Sequence, residues 1–584
     1  MTKPSGRRLV RWGKRLLLAG ACLCIGGFVA ERGLDVLWPY PLAQLQALER
    51  SLVLTANDGT WLRVVPTSAG ERVLPLGFDE CPKVLQDAVL VGEDERFFVH
   101  GGVDWAAGLR AAAGNLAAGR VVSGASTLTM QVVRIVEPRP RTWWSKCLEV
   151  VRARQLERLV DKERIAALWL EQVPLGGTLR GFDAAARFWF GCSARELAVA
   201  QAATLVAMVP APSARSPLRN PTLLRSRRDA LLRRMGERGL LAPEVVARAV
   251  AQDLGMQKHA WPWLAPHAAD AAWRALRQGG DGLRRGEGDD DRGTDCVAAP
   301  DDPALPACVV ATAVDLELQG RVQAVVQRQP DLPGDGLAVV VVRRADGSLP
   351  VVLGDRDPLA PLDLSARPRS AGSTCKPFLY ALAHERGAIG AQTLVDDLPR
   401  IYDDWRPANF DRGFLGRTRA GDALATSSNL AAVRCLEAVG TGPFAELLQR
   451  LGLRSGLRPL QLDGALGTDA VSPRELARAY WRFVERPQTL GLSPASVAFT
   501  LQALRRLPLV AGRSRAGDVA WKSGTSSGRR DAWCVGVTER HIVVVWLGNR
   551  DGRGLADLVG VRTANRLLAA VLGVLPTDEV QSSH

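Results

Sequence analysis

The sequence has little of what a protein metal site needs. It contains six histidines and ten cysteines; the histidines are scattered, and no two cysteines form a C-x-x-C pair. Zinc sites are typically built from closely spaced ligands of these two types. The sequence therefore predicts no metal site made by the protein alone.

Signatures of nucleic-acid binding are also missing. The net charge is +14, and such an excess of positive charge is typical of proteins that bind nucleic acid, a membrane surface or an anionic substrate. The basic residues are mostly arginines spread along the chain, and there is no zinc finger, RNP-type sequence or long basic block. We therefore expect no nucleic-acid partner.

The N-terminal apolar run, residues 16–30, is shorter than the ~20 residues that a membrane helix needs. Basic residues precede it at positions 3, 7, 8, 11, 14 and 15, which predicts a cytoplasmic N-terminus and an exported remainder. Lys14 and Arg15 can extend the span by reaching to the interface. We predict a cytoplasmic tail over 1–15 and an uncleaved anchor over 16–32. The alternative is a signal peptide cleaved after Ala30, with a bulky Phe28 where a small residue is needed.

The remainder has the composition of a globular protein and the length of two or three domains. In residues 33–78, apolar and polar residues alternate on both sides of an Asn-Asp-Gly turn. This pattern predicts a linker or β segment. Apolar residues recur at helical spacing over 79–245, and a Gly-, Asp- and Pro-rich stretch indicates a linker over 246–308. Strands at both ends of 309–575 with helices between them predict an α+β domain with an antiparallel sheet, followed by a tail over 576–584. Cys296 and Cys308 flank the end of the linker, and either a disulfide or two free thiols fits them.

Three motifs in the second domain suit a serine acyl transferase. Ser373 and Lys376 form S-x-x-K, and Pro377 places the serine at a helix start. S-S-N follows at 427–429 and K-S-G-T at 522–525. A serine hydroxyl needs a nearby base. Lys376 can serve only when neutral, a state that burial and the charge of Lys522 both favour.

The other motif residues have roles in the same chemistry. We expect Ser427 to relay a proton and Asn429 to hold the substrate backbone. Gly524 lets its strand approach the substrate closely. The backbone N–H groups of the nucleophile and of Thr525 form an oxyanion hole, and the Thr525 hydroxyl with Lys522 can hold a terminal carboxylate.

This order of motifs is typical of penicillin-binding proteins and serine β-lactamases. The stretches around the motifs, at 368–387, 407–411 and 522–533, also resemble the transpeptidase domain of penicillin-binding proteins. The resemblance implies a β-lactamase-like fold and a donor peptide that ends in D-Ala–D-Ala. Ser373 is then acylated with loss of D-Ala, an amine of a neighbouring stem peptide takes the acyl group, and β-lactams act as covalent inhibitors. Cys375, inside the first motif, is expected to be a packing residue.

Four stretches of the first domain resemble the peptidoglycan glycosyltransferases, a mainly α-helical, lysozyme-like family. They are VGEDERFFVHGGVDW at 91–105, GASTLTMQ at 124–131, KCLEVVRARQLE at 146–157 and RRDALLRRM at 227–235. A Glu-Asp pair alone would be an ordinary helix end. The four stretches in this order favour the enzyme family.

The resemblance implies that Glu93 is the general base for the acceptor sugar hydroxyl and that Glu149 is the second carboxylate. Glu93 follows a helical run, so we expect the negative end of that helix to raise its pKa. The groups implied to face the pyrophosphate and its phosphate oxygens are Lys146, Arg228 (with Arg227 as a substitute), Ser126, Thr127 and Gln131. His100 and Asp94 are expected to shape the site.

The implied glycosyl substrate is lipid II, which lies in the membrane. No cofactor is required, although Mg²⁺ or Mn²⁺ near Glu149 would help the pyrophosphate to leave. The implied partners are nascent peptidoglycan, the cytoplasmic membrane and proteins of cell-wall synthesis. The location implied is a single pass through the inner membrane with both catalytic domains in the periplasm.

Together the two domains resemble those of class A penicillin-binding proteins. Met130 replaces the first glutamine of the usual pair, and with SLVLTANDGTWLRV at 51–64 it resembles the 1C subgroup. That subgroup usually has a further C-terminal domain, which we expect to be absent here. Glu171 stands where the family pattern has asparagine. The prediction is a bifunctional peptidoglycan synthase; the alternative is an active glycosyltransferase whose second domain is a poorly active binding or regulatory module.

Overall fold

The computed structural model describes residues 32–118, 126–140, 142–278, 308–403, 405–453, 459–505 and 519–576. The predicted anchor, apart from its last residue, and Cys296 of the possible disulfide lie outside these ranges. No helix within the described ranges is long and apolar enough to cross a membrane. The chain divides into two units, one of residues 1–52 and 64–261 and the other of residues 53–63 and 262–584.

The first unit is mainly helical, because its apolar residues recur at helical spacing and polar side chains cap the helix starts. Thr127, Thr142, Asp161 and Asn220 each accept a hydrogen bond from a backbone N–H of the following first turn. Its helices are α1 (Leu42–Gln46), α2 (Lys83–Glu93), α3 (Trp105–Ala118), α4 (Leu128–Val136), α5 (Trp143–Leu159), α6 (Lys162–Gln172), α7 (Phe182–Phe190), α8 (Val199–Met208), α9 (Pro221–Glu237) and α10 (Pro243–Ala251). A small sheet is formed by β3 (Arg72–Val73), β4 (Pro174–Gly176) and β5 (Leu179–Arg180).

The second unit is built on a five-stranded antiparallel sheet. Its strands are β7 (Gly336–Arg343), β8 (Val351–Leu353), β13 (Ala520–Thr525), β14 (Asp531–Val537) and β15 (His541–Gly548). Their order in the sheet is β13-β14-β15-β7-β8. Every residue of β14 and β15 is buried, so both faces of the sheet are covered. The strands therefore lie at both ends of the domain with helices between them, as the sequence predicts.

Alternate residues of these strands pack on helices from the two ends of the unit. Val339 and Val543 lie in one apolar core with Val322 of α12 (Leu316–Gln327) and Leu567 of α19 (Ala564–Leu572). The helices are α11 (Pro266–Gln278), α12 (Leu316–Gln327), α13 (Lys376–Glu385), α14 (Ala420–Ala425), α15 (Asn429–Val439), α16 (Thr441–Arg450), α17 (Pro473–Glu485), α18 (Pro494–Leu504) and α19 (Ala564–Leu572). Short strands pair as β10 (Leu394–Asp397) with β11 (Gly416–Arg419), and as β9 (Arg369–Ser370) with β12 (Ala470–Val471).

Two predicted linkers contain regular structure. The alternation within 33–78 forms β1 (Leu52–Thr55) and β2 (Trp61–Val65), and β1 pairs in parallel with β6 (Val309–Ala311). The predicted linker 246–308 includes the end of α10 and all of α11. Helix α11, with the sequence PHAADAAWRALRQ, buries its alanines on one face. The glycine-rich stretch that follows leads to the prediction of a linker in place of this helix.

Candidate active sites

Glu93 is the last residue of α2 in the first unit. Its carboxylate accepts a hydrogen bond from Nε2 of Gln131 at 3.0 Å, and Gln131 is itself held by Nε1 of Trp169 at 3.0 Å. Burial raises the pKa of Glu93. The position at the helix end is the one expected from the sequence, and burial is the leading cause of the raised pKa.

Helix α4 connects this carboxylate to the second one. Gln131 and Arg134 are three residues apart and so lie on one helix face. The guanidinium of Arg134 donates two hydrogen bonds to Glu149, at 2.8 and 2.9 Å. One turn of α4 therefore contacts both Glu93 and Glu149, although nothing in the motif patterns points to Arg134.

Glu149 is held between two cations. Lys146 donates to Glu149 at 3.2 Å and to the hydroxyl of Ser126 at 2.8 Å. Burial opposes ionisation of Glu149, but the hydrogen bonds and charges of Arg134 and Lys146 outweigh it and lower its pKa. Met130 is buried beside this pair, with its sulfur 3.9 Å from Nζ of Lys146.

A third cation lies near Glu93. Burial raises the pKa of Glu93, and the positive charge of Arg215 opposes part of that rise. Nη1 of Arg215 donates a hydrogen bond to the carbonyl of Ala207 at 2.8 Å. Arg215 lies in the connection between α8 and α9, where no helical or strand pattern marks it. The buried Asp94 accepts from His100 and from the N–H of Leu128, each at 3.0 Å, and so fixes the start of α4.

Two predicted phosphate ligands are not available for that role. Arg228 is fully buried and donates to the carbonyls of Val250, Gln252 and Asp253, so it secures the end of α10. The hydroxyl of Thr127 donates to the carbonyl of Gly102 at 2.7 Å and caps α4. The structure corrects both assignments, because these polar groups are already paired inside the fold.

Glu171 departs from the family pattern without disturbing the fold. Its buried carboxylate accepts two hydrogen bonds from Arg50, at 3.0 and 2.8 Å. The pair satisfies a charge that would otherwise be costly to bury.

The second unit places Ser373 in a 3₁₀ turn over Gly372–Cys375, directly before α13. Pro377 occupies the first turn of α13, as the sequence predicts. Cys375 is buried, and burial raises the pKa of its thiol to about 12, so it packs as an unreactive side chain.

Lys376 and Lys522 meet at one serine. Nζ of Lys376 donates to the carbonyls of Ser427 and Ser428, at 2.7 and 3.1 Å, and to Oδ1 of Asn429 at 2.7 Å. Nζ of Lys522 donates to the hydroxyl of Ser427 at 2.7 Å. Ser427 has φ +63°, a left-handed conformation that is costly for serine and points its hydroxyl and carbonyl to different lysines.

Both lysines have lowered pKa values. Burial, and then the charge of Lys522, hold the pKa of Lys376 well below its usual value. Burial lowers the pKa of Lys522 to about 7. These are the two causes that the sequence led us to expect for Lys376.

A partly buried polar network supports the S-S-N motif. Oδ1 of Asn409 accepts from the N–H of Asn429 at 2.7 Å, and the carboxylate of Asp397 accepts from Ser428 at 2.6 Å and from Asn409 at 2.8 Å. Asn409 belongs to the stretch 407–411 that carries part of the resemblance. Its contribution is to hold Asn429 where it meets Lys376.

Gly524 lies against the nucleophile turn. A Cβ at this position would come within 2.8 Å of the carbonyl of Ala371 and 2.9 Å of Thr374. The close approach that requires glycine is therefore to the turn that carries Ser373, rather than to a substrate. Ser373, Ser427, Asn429, Gly524 and Thr525 line one cavity of about 550 Å³.

Comparisons with known proteins match one family to each of two stretches of the chain. A family model described as "Transglycosylase" matches residues 59–236, and one described as "Penicillin binding protein transpeptidase domain" matches residues 337–495. The second match ends before Lys522, so the place of Lys522 in the site rests on the geometry.

The chain is also similar to curated proteins and to a solved structure. It is 32% identical to penicillin-binding protein 1C of Escherichia coli (strain K12), over 97% of this chain and 73% of that protein. It is 30% identical to penicillin-binding protein 1B of Vibrio cholerae, over 92% of this chain and 74% of that protein. The crystal structure of penicillin-binding protein 1A from Haemophilus influenzae has a TM-score of 0.56 at 15% identity, covers 92% of this chain and 94% of its own, and shows the fold alone. The chain therefore belongs to the class A penicillin-binding proteins, the bifunctional peptidoglycan synthases that combine glycosyltransferase and transpeptidase activities.

Proposed function

We propose that the glycosyltransferase unit polymerises lipid II with Glu93 as the general base. The observation that carries the proposal is the single face of α4 that contacts both carboxylates, Glu93 through Gln131 and Glu149 through Arg134. Glu93, with its raised pKa, takes the proton of the acceptor sugar hydroxyl as that oxygen attacks the anomeric carbon. A base works best when its pKa lies near the working pH.

Positive charge for the departing pyrophosphate comes from Lys146 and Arg134, which Glu149 holds side by side. A divalent ion does not fit Glu149 well, because both of its oxygens already accept hydrogen bonds from these cations. Among the described residues no group of three or more His, Cys, Asp or Glu is placed to hold a metal. The two cations supply the charge that an ion would otherwise supply.

A lipid substrate suits a membrane-anchored enzyme with its N-terminus in the cytoplasm and its catalytic units in the periplasm. The basic residues before 16–30 support this orientation. Trp143 and Trp144 are 89% and 70% exposed at the start of α5, the helix that carries Lys146 and Glu149. Exposed tryptophans of this kind are typical of surfaces that meet a membrane interface.

The transpeptidase unit, in the same proposal, attacks the D-Ala–D-Ala end of a stem peptide with Ser373. Lys376 donates three hydrogen bonds, but a neutral amine has only two N–H donors. The neutral lysine therefore gives up one of these contacts, and the lone pair that this exposes takes the proton of Ser373. The acyl–oxygen bond forms as the peptide C–N bond breaks, and the proton passes to the departing D-Ala. An amine of a second stem peptide then displaces Ser373 and forms the cross-link.

Purified protein given lipid II, with and without penicillin, tests both activities separately. Glu93→Gln is expected to abolish glycan polymer while covalent labelling by a fluorescent penicillin persists. Ser373→Ala is expected to abolish labelling and cross-links while polymer persists. Normal polymer yield in Glu93→Gln, or normal labelling in Ser373→Ala, would contradict the corresponding assignment.

A further inference from the structure

Asp397 is a buried carboxylate close to Lys376 that belongs to none of the three transpeptidase motifs. It is the last residue of β10 and is only 1% exposed. Its Oδ1 accepts hydrogen bonds from the hydroxyl of Ser428 at 2.6 Å and from the amide of Asn409 at 2.8 Å, and its Oδ2 accepts from the N–H of Leu415 at 2.7 Å. All three groups donate, which suits the ionised form, because a protonated carboxyl group would need an acceptor for its own O–H.

Two hydrogen-bonded connections lead from Asp397 to Nζ of Lys376. The shorter one passes through Ser428, whose hydroxyl donates to Asp397 and whose carbonyl accepts from Lys376 at 3.1 Å. The longer one passes through two amides: Oδ1 of Asn409 accepts from the N–H of Asn429 at 2.7 Å, and Oδ1 of Asn429 accepts from Lys376 at 2.7 Å. Asp397 therefore fixes two of the three acceptors that hold Lys376.

Lys376 has a cation and an anion as near neighbours. Lys522 contacts the hydroxyl of Ser427, whose carbonyl accepts from Lys376. Asp397 contacts the hydroxyl of the next residue, Ser428, whose carbonyl also accepts from Lys376. Burial is the main reason why the pKa of Lys376 is low; the charge of Lys522 lowers it further, and the charge of Asp397 raises it. The two neighbouring charges therefore oppose each other at the base.

Two further titratable side chains lie near this carboxylate, and both stay uncharged. Tyr380, four residues after Lys376 on α13, interacts with Asp397 and with Cys435 of α15. Burial raises the pKa of Tyr380 well above its usual value and that of Cys435 to about 12. Neither group changes its charge between pH 5 and about 9, so a change in the acylation rate over this range reports on the lysines.

We propose that Asp397 is a positioning residue for acyl transfer, which holds the S-S-N segment against Lys376 and stabilises the ammonium group formed when Lys376 takes the proton of Ser373. The inference rests on the proposed transpeptidase function. In this step the Ser373 Oγ–carbon bond forms, and the serine proton moves to Lys376 and then to the departing nitrogen as the C–N bond breaks. Between the two proton transfers the base is a buried cation, and Asp397 supplies the opposite charge that such a cation needs.

Asp397→Asn removes the charge and keeps the size of the side chain. Lys376 then loses its proton more easily, so the midpoint of the acidic limb of penicillin acylation is expected to fall by about 1–2 pH units. The plateau rate is expected to fall as well, because the ammonium group forms without its counter-charge. The ratio of the variant rate to the wild-type rate should therefore rise as the pH drops.

The measurement uses the full chain and the acylation rate constant for a fluorescent penicillin from pH 5 to about 9. A defect of folding alone would lower the rate without moving the midpoint of the limb to lower pH. Asp396→Asn is the matched control, since Asp396 is the preceding residue of β10, is exposed and pairs with Arg417 at 3.3 Å. This variant should keep the wild-type profile.

A double variant separates the effects of the two neighbouring charges. Asp397→Asn combined with Lys522→Met removes both charges, and its midpoint is expected to lie below that of Lys522→Met alone. Asp397→Ser repeats both comparisons with a smaller neutral side chain should the asparagine variants fail to fold.

A midpoint that stays in place or rises when Asp397 is replaced overturns its role as the counter-charge of Lys376. If the penicillin does not acylate the wild type at any pH, the proposed transpeptidase function itself is wrong. Normal acylation of the wild type, together with an unmoved midpoint in the Asp397 variants, counts against Asp397 alone.

Discussion

Removing the charge of Lys522 should move the acidic limb of the acylation rate to higher pH. Lys376 and Lys522 contact the carbonyl and the hydroxyl of the same Ser427, each at 2.7 Å. Two like charges that contact the same residue repel by on the order of 3 kcal/mol at an effective dielectric constant of about 20, or about 2 pKa units. Without Lys522, Lys376 therefore keeps its proton to higher pH.

The sign follows from the role of Lys376. The amine acts as a base only when neutral, so acylation falls as the pH drops through its pKa. In the Lys522→Met variant, burial still lowers the pKa of Lys376, but the repulsion from the charge of Lys522 is gone. Because the pKa of Lys522 is about 7, the repulsion acts below neutral pH and fades above it. We expect the midpoint of the acidic limb to rise by between 1 and about 2 pH units.

The assay is stopped-flow acylation by a fluorescent penicillin between pH 5 and about 9, with each profile scaled to its own plateau. Scaling separates the midpoint from any loss of plateau rate caused by weaker carboxylate binding. Lys258→Met, at an exposed lysine of the first unit, is the control and should keep the wild-type profile. A midpoint in Lys522→Met that stays in place or moves to lower pH would refute the coupling of the two lysines.

Three further outcomes are expected. Gln131→Met removes a hydrogen bond that lowers the pKa of Glu93, so the acidic limb of glycan polymerisation should move to higher pH; an unmoved limb in a polymerisation profile would contradict this. Gly524→Ala places a Cβ 2.8 Å from the carbonyl of Ala371 and should slow penicillin acylation at least tenfold with polymerisation intact, whereas equal acylation would show that the turn can move aside. Arg228→Met leaves three carbonyls without a donor and should lower the stability by about 2–4 kcal/mol with an unchanged KM for lipid II; a raised KM at normal Tm would restore Arg228 to the substrate site.

The motif residues could be located from the sequence because their spacing is local. Ser373 and Lys376 share a helix turn with Pro377, and Glu93 ends a helix whose apolar pattern is plain. Arg134 could also have been found, since it follows Gln131 by three residues on the same helix. Arg215 carries no such signal, because it lies in the connection between α8 and α9, far from Glu93 along the chain, and affects Glu93 through its charge.

The misplacement of Arg228 has a physical explanation. On α9 the buried residues are Leu224, Arg228, Leu231, Leu232 and Met235, so the arginine lies on the apolar stripe. Helical spacing alone therefore predicts that its side chain faces the core. The basic motif instead predicts a phosphate contact for the same residue. The sequence gives no sign of the backbone carbonyls that accept from the guanidinium, because they lie more than twenty residues away along the chain.

The parallel pairing of β1 with β6 has a consequence for biosynthesis. Thr312 donates to the carbonyl of Thr55 across 257 residues of chain, and the second unit contains both residues. A ribosome that adds about 5–20 residues per second produces the later strand roughly 13–50 s after the earlier one. During that interval the β1 edge that β6 later covers is open to pairing with other strands.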